Sequence, residues 1–140
     1  MHDATITLFN YHKATDTWHA TLFENVTLTE AKGETATRDA GRTNADVIEA
    51  IIPAAADKSY GTKSYLGPKA YKRSASPEEH FTFLAETDFF MVGDHRQEPV
   101  TDDDYDEGFY HAMNDAYDEV YMISSAVFLG LLPHFEIGGR

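Results

Sequence analysis

The sequence has no cysteine, and this absence excludes several kinds of chemistry. None of its 140 residues carries a thiol, so there is no disulfide framework, no thiolate nucleophile and no thiolate metal site. Long hydrophobic runs are missing too, since the longest, residues 121–133, contains two serines and is too short to cross a bilayer. The first residues show no basic segment followed by an apolar one, so we expect no secretory signal. These absences predict a soluble protein that has no membrane partner.

Basic residues are scarce and unevenly placed. The chain has 11 Lys and Arg against 24 Asp and Glu, a net charge of −13, which argues against a general nucleic-acid binder. Residues 57–76 nevertheless hold five basic residues and one acid, a net charge of +4 that leaves −17 for the remainder. Residues 98–119 hold nine acids and neither Lys nor Arg. We therefore expect one end of the molecule to attract the other end of a second copy.

The chain has enough apolar residues to build a core. Hydrophobic residues make up 42% and aromatic residues 13% of the sequence, which is too much for a disordered tail. The length predicts one domain over residues 1–140. Within it we expect a β core with two insertions, a basic, tyrosine-rich excursion at residues 57–76 and an acidic helix at residues 102–117.

Period-two alternation predicts a hairpin at the start of the chain. Residues 5–11 and 17–28 are rich in Thr, Ile, Leu and aromatic residues, and residues 12–16 form a polar break between them. In the second strand Trp18, Ala20 and Leu22 share one face, while His19, Thr21 and Phe23 share the other. Glu24 and Asn25 interrupt the alternation, which predicts a β-bulge or bend.

Further short strands are predicted along the chain, at residues 35–38, 81–84, 88–92, 118–128 and 134–137. Residues 44–52 fit either a helix capped by Asn44 or a strand, and the three isoleucines favour the strand. Pro68 predicts a single helical turn over residues 68–71, and residues 76–79 look like the start of a helix before strand alternation resumes.

The clearest helical pattern covers residues 101–117. Its apolar residues recur at helical spacing, and its cluster of aspartates lies where the helix dipole favours negative charge. The chain thus has six to eight strands and one or two helices. This count predicts a mainly β (β-rich α+β) protein, a small antiparallel β-barrel or sandwich with a loop–helix insertion and one amphipathic helix.

No motif in the sequence specifies a reaction. The acidic run at residues 102–107 does not fit a calcium loop, because Glu107 stands where the turn glycine is required and Met113 where the bidentate glutamate is required. The seven histidines are scattered, and there is no His-Glu-x-x-His, Gly-x-Ser-x-Gly or phosphate-loop motif. We therefore expect no catalytic residue, no metal and no cofactor. The rival hypothesis is a small acidic enzyme or ligand-binding domain with His111 and Asp115 in a pocket.

The basic excursion allows three interpretations. Tyr60, Tyr65 and Tyr71 alternate with its lysines, as in a platform that stacks single-stranded nucleic acid, but the acidic remainder of the chain opposes a polyanion. The other two interpretations, a solvated loop and a surface that contacts another protein, are equally favoured, and the nucleic-acid platform comes third.

Five segments, at residues 6–11, 18–26, 44–53, 64–71 and 133–140, share their patterns with known proteins. Together they resemble a family of small head–tail connector virion proteins of siphovirus-like tailed phages. The most specific is residues 133–140, which is similar to that family's ending "H-W-x-V-G-G-K", with Phe135 in place of the tryptophan. Residues 6–11, 18–26, 44–53 and 64–71 are similar to its first two strands, its "A-D-V … I-P" segment and its "Y-x-x-P-x-x-W/Y" insertion. The segment at residues 81–93 lacks the family's "N-G-D" turn.

This resemblance implies a structural, non-enzymatic role in the virion, with assembly in the host cytoplasm. The implied protein is a stopper-like ring subunit at the neck, with a tail-completion or terminator protein as the neighbouring alternative. Its partners would be copies of itself, adjacent connector or tail proteins, and genomic DNA that passes through without sequence-specific binding. The candidate subunit-interface residues are Lys58, Lys63, Tyr65, Lys69, Tyr71, Lys72, Arg73, Asp102, Asp103, Asp104, Asp106 and Glu107.

Overall fold

A computed structural model describes residues 3–30 and 47–140, and its main feature is a closed antiparallel β-barrel. The six barrel strands are β1 (Ala4–His12), β2 (Thr17–Glu30), β3 (Ile48–Pro53), β7 (Phe89–Val92), β8 (Val120–Leu129) and β9 (His134–Gly139). Around the barrel they follow the order β1-β2-β3-β9-β8-β7, and β7 pairs with β1 to close it. The prediction of a mainly β protein with a small antiparallel barrel is confirmed.

A second, smaller sheet, two short α-helices and two 3-10 turns, one of them at Pro77–Glu79, complete the described structure. The sheet contains β4 (Ser59–Tyr60), β5 (Lys63–Tyr65) and β6 (His80–Phe81). Helix α1 (Pro68–Arg73) has its proline in the first turn, as predicted, and helix α2 (Phe109–Ala116) follows a 3-10 turn at Asp102–Asp104. Within the described ranges, no helix combines the length and apolar character that crossing a membrane requires.

The local predictions for the first hairpin and for β3 are confirmed where the structure describes them. Ala4 lies opposite Val26 while Ile6 lies opposite Phe23, so β2 contains an extra residue there. Asn25 takes a left-handed backbone with φ of 59°, which marks the bulge. Residues 48–53 form a strand, as favoured. The strand predicted at residues 35–38 and the Asn44 cap lie outside the described residues.

Three predicted boundaries are wrong. The helix expected over residues 102–117 is a 3-10 turn and a separate α2, because Gly108 between them has φ of 94° and breaks the helical path. The strand expected at residues 81–84 is limited to His80–Phe81. Gly138 and Gly139 belong to β9 rather than to a tail, and they pair with Glu49 and Ile48 of β3.

The two faces of the barrel wall contribute to two apolar cores. Alternate residues of β1, including Ile6 and Leu8, face the barrel interior with apolar residues of the other barrel strands. Phe9 faces outward and packs with Phe89 and with Phe109 of α2. Helix α2 therefore covers the outside of the wall formed by β1 and β7.

One end of the barrel interior is polar. Asn10 lies opposite His19 and His12 lies opposite Thr17, on the same face as Leu8. Asn10, His12 and His19 are all buried. The segment that contains β4, β5, α1 and β6 covers this end, so we call residues 57–88 the cap.

Candidate functional site

A chain of hydrogen bonds crosses the polar end of the barrel. Nδ1 of His19 lies 2.9 Å from Oε2 of Glu98, and Nε2 of His19 lies 2.9 Å from Oγ1 of Thr17. The chain continues from Thr17 to Oγ1 of Thr15 at 2.7 Å and from Thr15 to Nδ1 of His12 at 2.8 Å. Because Thr17 and His19 are two residues apart on one strand, they project from the same face. The result is a carboxylate–imidazole–hydroxyl relay.

Lys63 fastens the cap to this relay. Its Nζ donates to the carbonyl oxygen of Ala20 at 2.5 Å and to Oγ1 of Thr21 at 3.2 Å, and it lies 3.5 Å from Oε1 of Glu98. Burial lowers the pKa of Lys63, and the neighbouring Glu98 opposes that shift. Burial acts to raise the pKa of Glu98, but the His19 hydrogen bond and the Lys63 charge outweigh it and the pKa is lowered. The two groups therefore form an ion pair.

A buried carboxylate holds the end of the cap against β1. Oδ1 of Asp88 accepts a hydrogen bond from the Tyr11 amide at 3.0 Å. Its Oδ2 accepts from Nδ2 of Asn10 at 2.8 Å and from the Leu84 amide at 2.9 Å. Burial raises the pKa of Asp88 to about 7 even though these hydrogen bonds favour the ionised form. Asp88 thus titrates in the neutral range.

A cleft of about 400 Å³ lies where α1 meets the end of β1. Its walls include Tyr11, Pro68 and Leu84, and its rim carries Lys13, Lys69 and Lys72. All three lysines are exposed, whereas the walls are largely apolar. We call it the lysine-rimmed cleft.

Beneath that cleft the cap contributes a buried tyrosine. Tyr71 is 2% exposed, and its ring lies 5.5 Å from the His12 ring in an edge-on contact. Burial raises the pKa of Tyr71. Neither its hydroxyl nor Nε2 of His12 has a hydrogen-bond partner among the residues that the structure describes. Tyr71 is therefore an interior residue.

An acidic cleft adjoins the lysine-rimmed cleft. It is lined by Asp102, Glu107 and Glu86, and it shares Tyr11 and Thr87 with its basic neighbour. We expected the basic and the acidic surfaces to lie at different ends of the molecule. For the lysine-rimmed cleft and the acidic cleft this expectation is wrong, because they are neighbours. The fold brings them together because β1 and the segment before β7 run alongside each other.

The candidate interface residues divide into exposed and internal groups. The exposed ones are Lys58, Lys69, Lys72, Arg73, Asp103, Asp104, Asp106 and Glu107. Lys63, Tyr65 and Asp102 are half-buried and Tyr71 is buried. Lys58 places Nζ 5.0 Å from the Phe128 ring centre and 5.7 Å from that of Tyr65. Lys63 and Tyr71 thus hold the cap on the barrel and do not lie on an accessible surface.

The sequence interpretation missed an apolar tip on the β8–β9 hairpin. Leu131 is 96% exposed and Leu132 is 77% exposed, and we call this pair the leucine tip. Leu129 and Val127 continue the apolar surface down β8, at 40% and 49% exposure. The sequence signal was present, since leucines flank Gly130 and precede Pro133 in a segment interpreted only as a loop.

The histidine and carboxylate proposed for the rival enzyme lie on α2. His111 is exposed and lines the acidic cleft, and Asp115, four residues later, is also exposed. Across the described part of the chain, no group of three or more His, Asp or Glu residues is placed to hold a metal ion.

The fold and these surfaces define a small capped β-barrel protein with an apolar hairpin tip. Its family follows from comparison with known proteins. The chain belongs to a family of unknown function (DUF6751), whose model matches residues 1–140. No curated protein and no solved structure matches the chain.

Proposed function

We propose that this protein is a structural subunit of a tailed-phage head–tail connector, a stopper-like protein that forms a homo-oligomeric ring at the neck. The resemblance of five segments to connector proteins supports the phage assignment. The closed barrel supports a structural role, because closure removes the unpaired strand edges that favour uncontrolled association. The leucine tip is the observation that carries the proposal of assembly.

The leucine tip is apolar surface that a monomer leaves in water. Leu131 and Leu132 are 96% and 77% exposed, and Val127 and Leu129 extend the same surface. Contiguous exposed apolar surface marks interaction sites. Burying each leucine stabilises association by about 1.5–3 kcal/mol. The tip therefore favours a partner protein.

Charge supports the same function in two ways. The exposed Lys69, Lys72 and Arg73 of α1 provide a basic surface on an acidic chain, suited to acidic surfaces of neighbouring copies or adjacent connector proteins. The net charge of −13 repels phosphates, so duplex DNA passes through such a ring without sticking. Tight binding of duplex DNA by the purified protein at physiological salt would contradict this conduit role.

The oligomeric state tests the proposal. We expect native mass spectrometry and negative-stain imaging of the purified chain to show closed rings, and mass spectrometry of purified particles to find the chain in the virion. The Leu131→Ser/Leu132→Ser variant should remain monomeric with an unchanged circular dichroism spectrum. A matched double variant on exposed α2 positions, Asn114→Ser/Asp115→Ser, should assemble normally. A wild-type chain that stays monomeric and is absent from particles would refute the proposal.

Charge reversal on α1 is an independent test of the proposed assembly. Lys69→Glu/Lys72→Glu/Arg73→Glu should impair assembly, since it turns the basic surface acidic on a chain that is already acidic. Unchanged rings that still associate with particles would show that this surface takes no part. Imaging of the labelled chain distinguishes a connector ring below the portal from the neighbouring alternative, a tail-completion protein at the tail's end.

The Glu98–His19–Thr17 relay favours a second candidate function, a small hydrolytic domain. A carboxylate on one imidazole nitrogen and a hydroxyl on the other, both at 2.9 Å, is the arrangement that activates a hydroxyl nucleophile. This candidate predicts hydrolysis of activated esters and covalent labelling of Thr17 by a fluorophosphonate, both abolished in Thr17→Val and His19→Gln. No labelling and no turnover by the wild-type chain would exclude it.

A further inference from the structure

The lysine-rimmed cleft and the leucine tip are two accessible surfaces with complementary properties. The cleft is a concave, largely apolar space of about 400 Å³, within the size range of pockets that enclose a small ligand. The tip is a convex projection whose two leucines are almost fully exposed. One chain therefore displays both an apolar projection and an apolar recess.

Strand order places the projection and the recess on different walls of the barrel. The tip joins β8 to β9, whereas the cleft lies beside the end of β1, and the barrel order is β1-β2-β3-β9-β8-β7. A contact between two different patches is heterologous, and repetition of such a contact produces a closed ring or a filament. Two different patches on different walls therefore permit the heterologous contact that a ring needs.

Charge favours the same pairing. The cleft rim carries Lys13, Lys69 and Lys72, all exposed. Near the tip, Glu136 of β9 is 33% exposed, and the cationic Lys58 lies over the ring of Phe128 in β8. His134 lies 2.9 Å from Glu136 and offsets part of its charge. The surroundings of the tip are thus close to neutral, and the attraction comes from the basic rim meeting a second copy whose net charge is −13.

We propose that the leucine tip of one copy inserts into the lysine-rimmed cleft of the next copy. This inference rests on the proposed ring function and deepens it by naming the contact. Leucine side chains fill the apolar recess between Pro68 and Leu84, and the rim lysines face the acidic second copy. A second copy is the occupant that accounts for both surfaces with a single contact.

Cysteine pairing tests this contact cleanly because the natural chain contains no thiol. Leu132→Cys places a thiol on the tip and Leu84→Cys places one in the cleft, where the native leucine is 41% exposed. The two single variants are mixed in equal amounts and oxidised, or treated with a short bis-maleimide. Asn114→Cys on exposed α2 replaces Leu84→Cys in the control mixture. Native mass spectrometry of the wild type is recorded in parallel.

We expect cross-linked dimers in the Leu132→Cys and Leu84→Cys mixture, and neither in the control mixture nor in either variant alone. Leu132→Ser should weaken association by roughly 30-fold or more, since it removes one buried leucine from the contact. Lys69→Met/Lys72→Met should weaken it less, and the loss should shrink at high salt.

Other results of these experiments would refute the tip–cleft contact, and they would show whether the proposed ring function fails with it. Efficient cross-linking of Leu132→Cys alone would mean that two tips meet each other. Equal cross-linking to Asn114→Cys would mean that the tip has no preferred site. Wild-type rings without the tip–cleft cross-link would refute this contact and leave the ring function standing, whereas a wild-type monomer would refute both.

Discussion

Nε1 of Trp18 donates a hydrogen bond to Oδ1 of Asp102 at 2.7 Å, and the same carboxylate oxygen accepts from the amide of Phe109 at 3.0 Å. Asp102 therefore joins barrel strand β2 to the first residue of α2. The sequence shows three consecutive aspartates, and only the tertiary contact distinguishes the first from the other two.

Asp102→Ala should lower the free energy of unfolding by about 1–3 kcal/mol, because it leaves a largely buried indole N–H without a partner. Asp103→Ala, at the exposed neighbouring position, should change it by less than about 0.5 kcal/mol. Urea unfolding followed by the fluorescence of Trp18, the single tryptophan, measures both. Equal losses in the two variants would show that the hydrogen bond contributes nothing specific.

Asp88 should make stability fall as the pH rises. Its folded pKa of about 7 lies above the ordinary 3.8, so the folded state binds this proton more tightly than the unfolded chain does. The stabilisation that this bound proton gives the folded state amounts to about 4 kcal/mol. It is complete below pH 3.8 and is lost as the pH rises through 7.

The variant Asp88→Asn tests that pH dependence. Asp88 accepts hydrogen bonds from three N–H donors. The NH₂ group of an asparagine at this position would face at least one of those donors, so we expect the free energy of unfolding to fall by about 1–3 kcal/mol at pH 4. The deficit of the variant should disappear and reverse as the pH rises through 7 to 9, because only the wild type loses the stabilisation that protonated Asp88 provides. Urea unfolding across this range measures it, with Asp103→Asn as the exposed control. Parallel curves for the wild type and Asp88→Asn would rule out Asp88 as the titrating group.

Lys63 and Glu98 should be energetically coupled. Lys63→Met removes the donor to the Ala20 carbonyl and the charge beside Glu98, so we expect a loss of about 2–4 kcal/mol. The Lys63 side chain is 15% exposed and that of Glu98 is 26% exposed, so solvent screens their interaction only in part. A double-mutant cycle that combines Lys63→Met with Glu98→Gln should therefore give a coupling energy of about 1 kcal/mol or more. Lys69→Met is the matched control on the exposed surface. Additive losses in the cycle would contradict the ion pair.

Gly139→Ala should destabilise the barrel. An added Cβ would lie 2.9 Å from Cβ of Tyr121 and 3.0 Å from Cε1 of Phe90, closer than packed atoms allow. The expected loss is about 1–3 kcal/mol by thermal or urea unfolding. At Gly130 the nearest atom of Phe128 is 3.6 Å away, so Gly130→Ala should be nearly neutral. If Gly139→Ala were equally neutral, the packing around β9 would be looser than described.

Local patterns in the sequence were enough to predict the class of the fold and much of its local structure. Alternation along residues 5–11 and 17–28 predicted the first hairpin, the break at Glu24 and Asn25 predicted its bulge, and Pro68 predicted the start of α1. These features depend on residues close together in the chain, whose spacing is visible in the sequence.

Contacts between distant segments determine which polar side chains are internal. Lys63 reaches Ala20 across 43 positions, and Trp18 reaches Asp102 across 84, so neither pairing has a local pattern. Packing of the cap on the barrel buried Tyr71 against His12, while the turn between β8 and β9 left Leu131 and Leu132 in water. Burial depends on which distant segments meet, and residue type and spacing alone do not specify that meeting.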